Sequence, residues 1–197
     1  GSEIDLDLLR ESCDTRSSLF NISLLYQCRA LELNEEIVDS RELRDERVQA
    51  TYVFVPFSRS LYGPEGMAQV EGPVLWEATD QDILTPFVVE QVPAFSWLSE
   101  AEADSERYLT VTSGLPHARI TLEGVCRLTG EGTENWEESR AIADGYHQTL
   151  ASAFFQVHLA GDERYQAYLQ AEGAEYLTQE PYRLTWSDSL DLEDFVE

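Results

Sequence analysis

Two short segments of the sequence carry side chains that together could do acid–base chemistry, and the first of them contains Asp82. Residues 79–86 read TDQDILTP and follow an apolar run whose strand is expected to end near Glu77. An acid just beyond the carboxyl end of a parallel strand lies where α/β folds place their sites. Asp residues after strands also commonly stabilise turns, so this segment alone leaves Asp82 as either a catalytic acid or a turn acid.

The second segment is residues 113–117, SGLPH, which follow another predicted strand and end at His117. A loop histidine is well placed to reach into a cleft, and imidazole is the side chain that exchanges protons near neutral pH. A lone histidine is more often structural, however. His147 and His158 both lie inside a predicted long helix, and we assign them structural roles.

The order of these segments says more than either does alone. Strand, acid, crossover, strand and histidine is the chain order of the last two members of an α/β-hydrolase triad, in which serine comes first. In such a triad, Asp82 would accept the Nδ1 proton of His117. That bond would fix the tautomer of the imidazole and stabilise the imidazolium formed when His117 takes the serine proton.

Several longer segments resemble bacterial α/β-hydrolases described as dienelactone hydrolase-like or platelet-activating-factor-acetylhydrolase-like. They are NISLLYQCRALEL (21–33), RDERVQA (44–50) and AFFQVHLAG (153–161). In that family the acid lies in a D-x-x-T-P stretch, which residues 82–86 match, and the base follows a Gly-rich turn, which residues 114–117 resemble. The resemblance covers most of the chain. It implies hydrolysis of a small-molecule or lipid ester through an acyl-serine, with Asp82 orienting His117 and without a metal or organic cofactor.

The serine nucleophile of that family has no counterpart in this sequence. No G-x-S-x-G occurs in the 197 residues, and Ser58, Ser60 and Ser113 are judged to lack the strand–turn–helix context of a nucleophile elbow. We therefore expect a fragment, a processed chain or one half of a split enzyme, inactive alone, whose serine and oxyanion-hole amides come from an N-terminal half. The alternatives are a non-catalytic hydrolase-derived binding or assembly subunit, or a structural fragment.

The elements that must position these residues predict an α/β fold, the C-terminal half of an α/β-hydrolase with about three parallel strands and flanking helices. Three short apolar runs predict the strands, at 48–55, 74–76 and 108–112. Tens of residues separate them, which favours crossovers over hairpins. The first strand would present an unpaired edge. We expect a second chain or self-association to cover it.

Helical patterns flank these strands on both sides. Asn135 and Glu138 form a capping-box signature for a long helix, with an apolar face that recurs at helical spacing and Gly161 placed to end it. The organisation predicted is a helical segment at 1–47, either a lid or ordinary packing helices, the hydrolase portion at 48–187, and an acidic tail at 188–197.

Charge and cysteine content limit the partners and the compartment. The chain has 38 acidic and 13 basic residues, a net charge of -25, and no lysine. This charge disfavours nucleic acid as a partner, and no apolar run is long enough for a membrane span. Cys13, Cys28 and Cys126 form no C-x-x-C pair, so a metal site is not expected. Cys13 and Cys28 are either bridged, which would favour an extracellular or periplasmic protein, or buried thiols; the compartment stays open.

Overall fold

The chain forms alternating strands and helices. A computed structural model describes residues 4–15, 21–32, 45–99, 106–115 and 136–187. The elements in order are α1 (Leu6–Asp14), α2 (Ile22–Cys28), β1 (Thr51–Phe54), α3 (Arg59–Ala68), β2 (Val74–Thr79), α4 (Val92–Ser99), β3 (Arg107–Thr112), α5 (Trp136–His158), α6 (Ala171–Leu177) and β4 (Leu184–Ser187). A π-helical turn at Phe87–Gln91 precedes α4, and 3₁₀ segments occupy Arg29–Glu32 and Glu163–Tyr168.

The four strands form one open sheet in the order β1-β2-β3-β4. The first three are parallel, whereas β4 runs antiparallel to β3. Every residue of β2 is buried, as expected for a central strand covered on both faces. The predicted α/β class and its three parallel strands are confirmed. The sequence did not predict β4, and β2 continues to Thr79, beyond the predicted end near Glu77.

Successive side chains of the strands point to opposite faces of the sheet and contribute to two separate apolar cores, one on each face. On one face, Trp76 and Leu109 pack with Phe95 of α4 and Met67 of α3. On the other face, Leu75 and Tyr108 pack against α5 and α6. The sheet is therefore a middle layer between helices, the arrangement that leaves the carboxyl ends of its strands free to carry a site.

Helix α5 covers the second face and follows the predicted pattern closely. The side chains of Ile142, Tyr146, Leu150 and Phe154 are buried against the sheet. Gly161 has a φ of 67°, and its N–H donates to the carbonyl of Val157, so a left-handed glycine terminates the helix as predicted. The predicted cap Asn135 lies outside the described residues.

Helix α3 was not predicted from the sequence, and it is kinked at Gly63, whose backbone is not helical and which is followed by Pro64. Gly63 has a φ of 59°, and a Cβ there would lie 2.8 Å from Leu8 Cδ2 and 2.9 Å from Asp5 Oδ2. Only glycine allows both the positive φ and this close approach of α1. The contact makes α1 part of the packed body of the protein.

The two N-terminal helices are joined by a disulfide between Cys13 and Cys28. The sequence left open whether this pair is bridged or consists of two buried thiols, and the structure shows the bridge. Asn21 begins α2, and its side-chain oxygen accepts a hydrogen bond from the N–H of Leu24. Cys126 lies outside the described residues.

Candidate functional site

Asp82 lies three residues beyond the end of β2, and its side chain is buried in the turn that follows the strand. Its Oδ1 accepts hydrogen bonds from the backbone N–H groups of Leu84 and Thr85, both at 2.8 Å. Its Oδ2 accepts from the Thr85 hydroxyl at 2.5 Å and from Gln91 Nε2 at 3.3 Å. Four donors therefore fix the plane of the carboxylate. The two backbone bonds are those of an Asx turn, so the role of turn acid is present and is compatible with a catalytic one.

The loops that follow β2 and β3 meet at the carboxyl end of the sheet. The backbone N–H of Gly114 donates to Asp80 Oδ1 at 2.8 Å, and the Asp80 N–H approaches the carbonyl of Thr112 at 3.4 Å. Leu115, the last described residue of the second loop, is fully buried. His117 lies outside the described residues, two positions further along the chain.

A strained residue borders the Asp82 turn from the side of β1. Val55 has a φ of 38°, which is rare for a β-branched residue, and its side chain is buried. Its N–H donates to the carbonyl of Glu77 at 2.8 Å, and its own carbonyl lies 3.3 Å from the hydroxyl of Thr85. Such strain persists only where the surroundings hold it, and it concentrates near functional sites. Here it lies beside the turn that holds Asp82.

A second buried carboxylate, Glu90, lies close by and was missed by the sequence analysis. Its side chain accepts four hydrogen bonds: from Asn21 Nδ2 at 2.7 Å, Gln27 Nε2 at 3.0 Å, and the N–H groups of Ser58 and Arg59, both at 2.9 Å. The last two donors belong to the first turn of α3, where a negative charge is favourable. Glu90 therefore caps α3 and ties α2 to the body of the protein.

A third buried carboxylate, Glu77, lies in the middle of β2 on the side of α5. The Tyr52 hydroxyl donates to Glu77 Oε2 at 2.5 Å and also contacts His147 Nδ1, which is 3.7 Å from the same carboxylate oxygen. Glu77 raises the pKa of His147 by hydrogen bonding and by its charge, against the opposing effect of burial. Burial and Glu77 raise the pKa of Tyr52. The structural role assigned to His147 from the sequence fits this contact between helix and sheet.

The other helical histidine, His158, lies near the amino end of β3, opposite the carboxyl end of the sheet where the Asp82 turn lies. Its Nδ1 is 3.2 Å from Glu106 Oε2, and its ring packs on Tyr108 and Phe154. Burial lowers the pKa of His158 despite the nearby carboxylate. This packing against aromatic rings fits the structural role assigned to His158 from the sequence.

Ser58 requires a correction to the sequence analysis, because it lies between β1 and α3. The judgement that it lacks a strand–turn–helix context was therefore wrong. A nucleophile elbow exposes its serine Oγ at the top of the sheet. Ser58 instead is buried, its φ is -149°, and its Oγ has no hydrogen-bond partner within the described part of the chain. The environment of Ser58 is therefore not that of a nucleophile.

An open groove of about 410 Å³ lies between α1 and α3, away from these carboxylates. Its lining is mostly polar and includes Asp5, Asp7, Arg10, Tyr62 and Glu65. Within the described ranges, no set of three or more His, Cys, Asp or Glu side chains is grouped so that it could hold a metal ion. Among the helices of those ranges, none combines the length and the apolar character needed to span a bilayer.

Comparison with known proteins gives no assignment. No protein-family model matches the chain, and a search of curated proteins finds no match. The site must therefore be interpreted from its own geometry.

Proposed function

We propose that this chain supplies the acid and the base, Asp82 and His117, of a serine carboxylic-ester hydrolase. The observation that carries the proposal is the Asp82 carboxylate, buried at the carboxyl end of β2 and fixed by four donors. The turn after the neighbouring parallel strand is tied to the same loop through Gly114 and Asp80, and it leads to His117 three residues later. Adjacent parallel strands place such loops side by side.

In the proposed reaction, His117 acts as base and then as acid in each of two steps, formation and hydrolysis of the acyl-serine. Its Nε2 takes the proton of the serine hydroxyl as the serine oxygen attacks the ester carbonyl, and it gives that proton to the departing alcohol. His117 then takes a proton from water as the water oxygen attacks the acyl-serine, and it gives that proton to the serine oxygen as the acyl–serine bond breaks, which releases the acid and restores the serine hydroxyl. Asp82 accepts the Nδ1 proton in a hydrogen bond throughout and stabilises the imidazolium. The serine and the oxyanion-hole amides would come from sequence outside these 197 residues.

The unpaired edge of β1 is an argument that a second polypeptide segment belongs to the assembly. Within the described residues, β1 pairs only with β2, and its other edge has no strand partner. Unpaired edges bind further strands unless they are covered. We propose that the nucleophile-bearing segment, or a second copy of the chain, pairs there. Light scattering tests this: a monodisperse monomer of the 197-residue chain contradicts self-association.

The pairing of acid and base can be tested on this chain without the serine. The chain has three histidines, so NMR can follow each imidazole through a pH titration. Asp82→Asn is expected to lower the pKa of His117 by about 1 or more, because an opposite charge within hydrogen-bond distance favours the protonated ring. The control is Asp7→Asn, which removes the same charge from a side chain that is 99% exposed. An unchanged His117 pKa in Asp82→Asn refutes the pairing.

Turnover of a chromogenic short-chain ester tests the activity itself. We expect no hydrolysis by the 197-residue chain alone, and hydrolysis by a longer chain that adds an upstream strand followed by G-x-S-x-G. In the active assembly, His117→Ala should lower kcat by about 10⁴- to 10⁶-fold. Turnover by the short chain alone would contradict the claim that the nucleophile lies elsewhere. An inactive assembly that still forms would favour the alternative, a hydrolase-derived binding or assembly subunit.

A further inference from the structure

Gln91 is a fully buried glutamine directly behind the Asp82 turn. Its Nε2 lies 2.7 Å from the Thr85 carbonyl oxygen, 3.3 Å from Thr85 Oγ1 and 3.3 Å from Asp82 Oδ2. The shortest of these bonds goes to Thr85, and the Thr85 hydroxyl donates to Asp82 Oδ2 at 2.5 Å. Gln91 therefore reaches Asp82 mainly through Thr85.

The backbone that carries Gln91 is fixed from the opposite side. Gln91 is the last residue of the π-helical turn, and its neighbour Glu90 is held by four donors from α2 and from the start of α3. A π-helical turn is rare and is often found at functional sites. Here it directs the buried side chains of Glu90 and Gln91 to different partners, Glu90 to the start of α3 and Gln91 to the Asp82 turn. Gln91 is thus a firmly anchored donor to the Asp82 turn.

The carbonyl end of the same side chain differs from the amide nitrogen in its contacts. Gln91 Oε1 is buried and makes no hydrogen bond within the part of the chain that the structure describes. A buried acceptor without a partner lowers stability, and an apolar side chain of the same shape would avoid that cost. Packing alone therefore does not account for glutamine at this position, whereas the two N–H donors directed at the Asp82 turn do.

We propose that Gln91 is a positioning residue for Asp82, holding the Thr85 carbonyl and hydroxyl so that the carboxylate keeps one orientation. This inference rests on the proposed function, because its consequence is the alignment of Asp82 with His117. Gln91 itself contacts neither the substrate nor the reacting atoms. Without its donors, the Thr85 carbonyl and hydroxyl would be held less firmly, and the pairing of Asp82 with His117 would weaken.

The test is the NMR titration of His117 in Gln91→Met, which keeps the length of the side chain and removes both donors. The matched control is Gln27→Met. Gln27 is also buried, also has an unpartnered Oε1, and donates to a carboxylate, but to Glu90 rather than Asp82. We expect the pKa of His117 to fall in Gln91→Met, by less than in Asp82→Asn, and to remain unchanged in Gln27→Met. A merely structural role would change the melting temperature of both variants and leave the pKa of His117 in place.

The outcomes separate this inference from the function on which it rests. If Asp82→Asn leaves the pKa of His117 unchanged, the proposed function fails and the positioning role fails with it. If Asp82→Asn lowers that pKa but Gln91→Met does no more than Gln27→Met, only the positioning role is refuted.

A measurement on the unaltered chain covers the case in which Gln91→Met does not fold. The side-chain amide resonances of Gln91 should shift with pH at the pKa of His117, whereas those of Gln27 should not. If the chemical shifts of the Gln91 side-chain amide do not change as His117 titrates, the inference is refuted.

Discussion

Asp82 and Glu90 are both buried carboxylates that accept from four donors within the described residues, but those donors come from different parts of the chain. Those of Asp82 lie two to nine residues away, on Leu84, Thr85 and Gln91. Those of Glu90 lie 31 to 69 residues away, in α2 and at the start of α3. Glu90 is a tertiary cross-link, whereas the donors that reach Asp82 from the described residues are local in the sequence.

This difference teaches what each carboxylate contributes. Removing Glu90 leaves buried donors of distant segments without an acceptor, so the loss falls on stability. Removing the charge of Asp82 disturbs one local turn, so the loss should fall on chemistry. The two residues make a matched pair for experiments that separate folding from function.

The largest expected effect is that of Glu90→Leu. The variant should lower the free energy of unfolding by about 4 kcal/mol or more, because four donors lose their acceptor and each buried donor left unsatisfied costs about 1–3 kcal/mol. Urea denaturation followed by tryptophan fluorescence measures it. Glu138→Leu, at an exposed position of α5, serves as control. A loss below about 1 kcal/mol in Glu90→Leu would contradict the role of cross-link.

Removing the disulfide should have the next largest effect, since it braces the helix that Glu90 binds. The bridge joins residues separated by 15 positions, and closing a loop of that length stabilises a protein by about 3 kcal/mol. The double change Cys13→Ser, Cys28→Ser is expected to cost about that much in urea denaturation. Combined with Glu90→Leu, it should cost less than the sum, because both changes release α2. Strict additivity would show that the two restraints are independent; Cys126→Ser controls for the loss of a thiol.

Asp82→Asn should cost only about 1 kcal/mol of stability, because asparagine keeps the oxygen that accepts from Leu84 and Thr85. The same denaturation experiment measures it beside Glu90→Gln, the matched amide change. If Asp82→Asn destabilises as much as Glu90→Gln, the contrast between the local and the tertiary carboxylate is wrong.

The smallest expected effect concerns the third buried carboxylate, Glu77, and His147. The groups facing His147 are Tyr52 and Glu77 from the sheet and Asp144 from its own helix, and its pKa is raised in the folded state. The resulting stabilisation is full below about pH 6.5, the unfolded pKa of histidine, and is lost as pH rises through the higher folded pKa. Because the side chain of His147 is 38% exposed, we expect less than about 1 kcal/mol.

Melting temperatures between about pH 5.5 and 9 test this in the wild type and in His147→Gln. The advantage of the wild type over His147→Gln should shrink as pH rises. His158 gives the opposite control, because its pKa is lowered by burial: stability falls as pH drops below about 6.5, and His158→Gln should remove that loss. A wild-type advantage over His147→Gln that does not change with pH would mean that the contact with Glu77 is not ionic.

The predictions made from the sequence succeeded where a pattern is local and periodic. The three parallel strands follow from short apolar runs with long separations, and α5 follows from its apolar face and the terminating Gly161. The sequence did not predict α3, in which Gly63 and Pro64 break the helical pattern, although packing against α1 requires that glycine. Propensity is a weak guide where a tertiary contact decides.

The acidic residues show the same limit at the candidate site. With 38 acids scattered along the chain, the sequence did not show which of them are buried, and the structure buries the side chains of Glu77, Asp82 and Glu90. Asp82 could be singled out because it follows a predicted strand and because residues 82–86 match a D-x-x-T-P stretch. For Glu77 and Glu90 the available signal was weak: each is a single acid inside an otherwise apolar run.

The sequence by itself determined the order of the strands along the chain, their parallel arrangement, the long helix α5 and the candidates Asp82 and His117. These depend on spacing and on neighbours within a few residues. Only the tertiary structure decided that β4 joins β3 in antiparallel fashion, that Cys13 and Cys28 are bridged, and which acids are buried. A carboxylate is buried where distant donors converge on it, and that convergence exists only once the chain has folded.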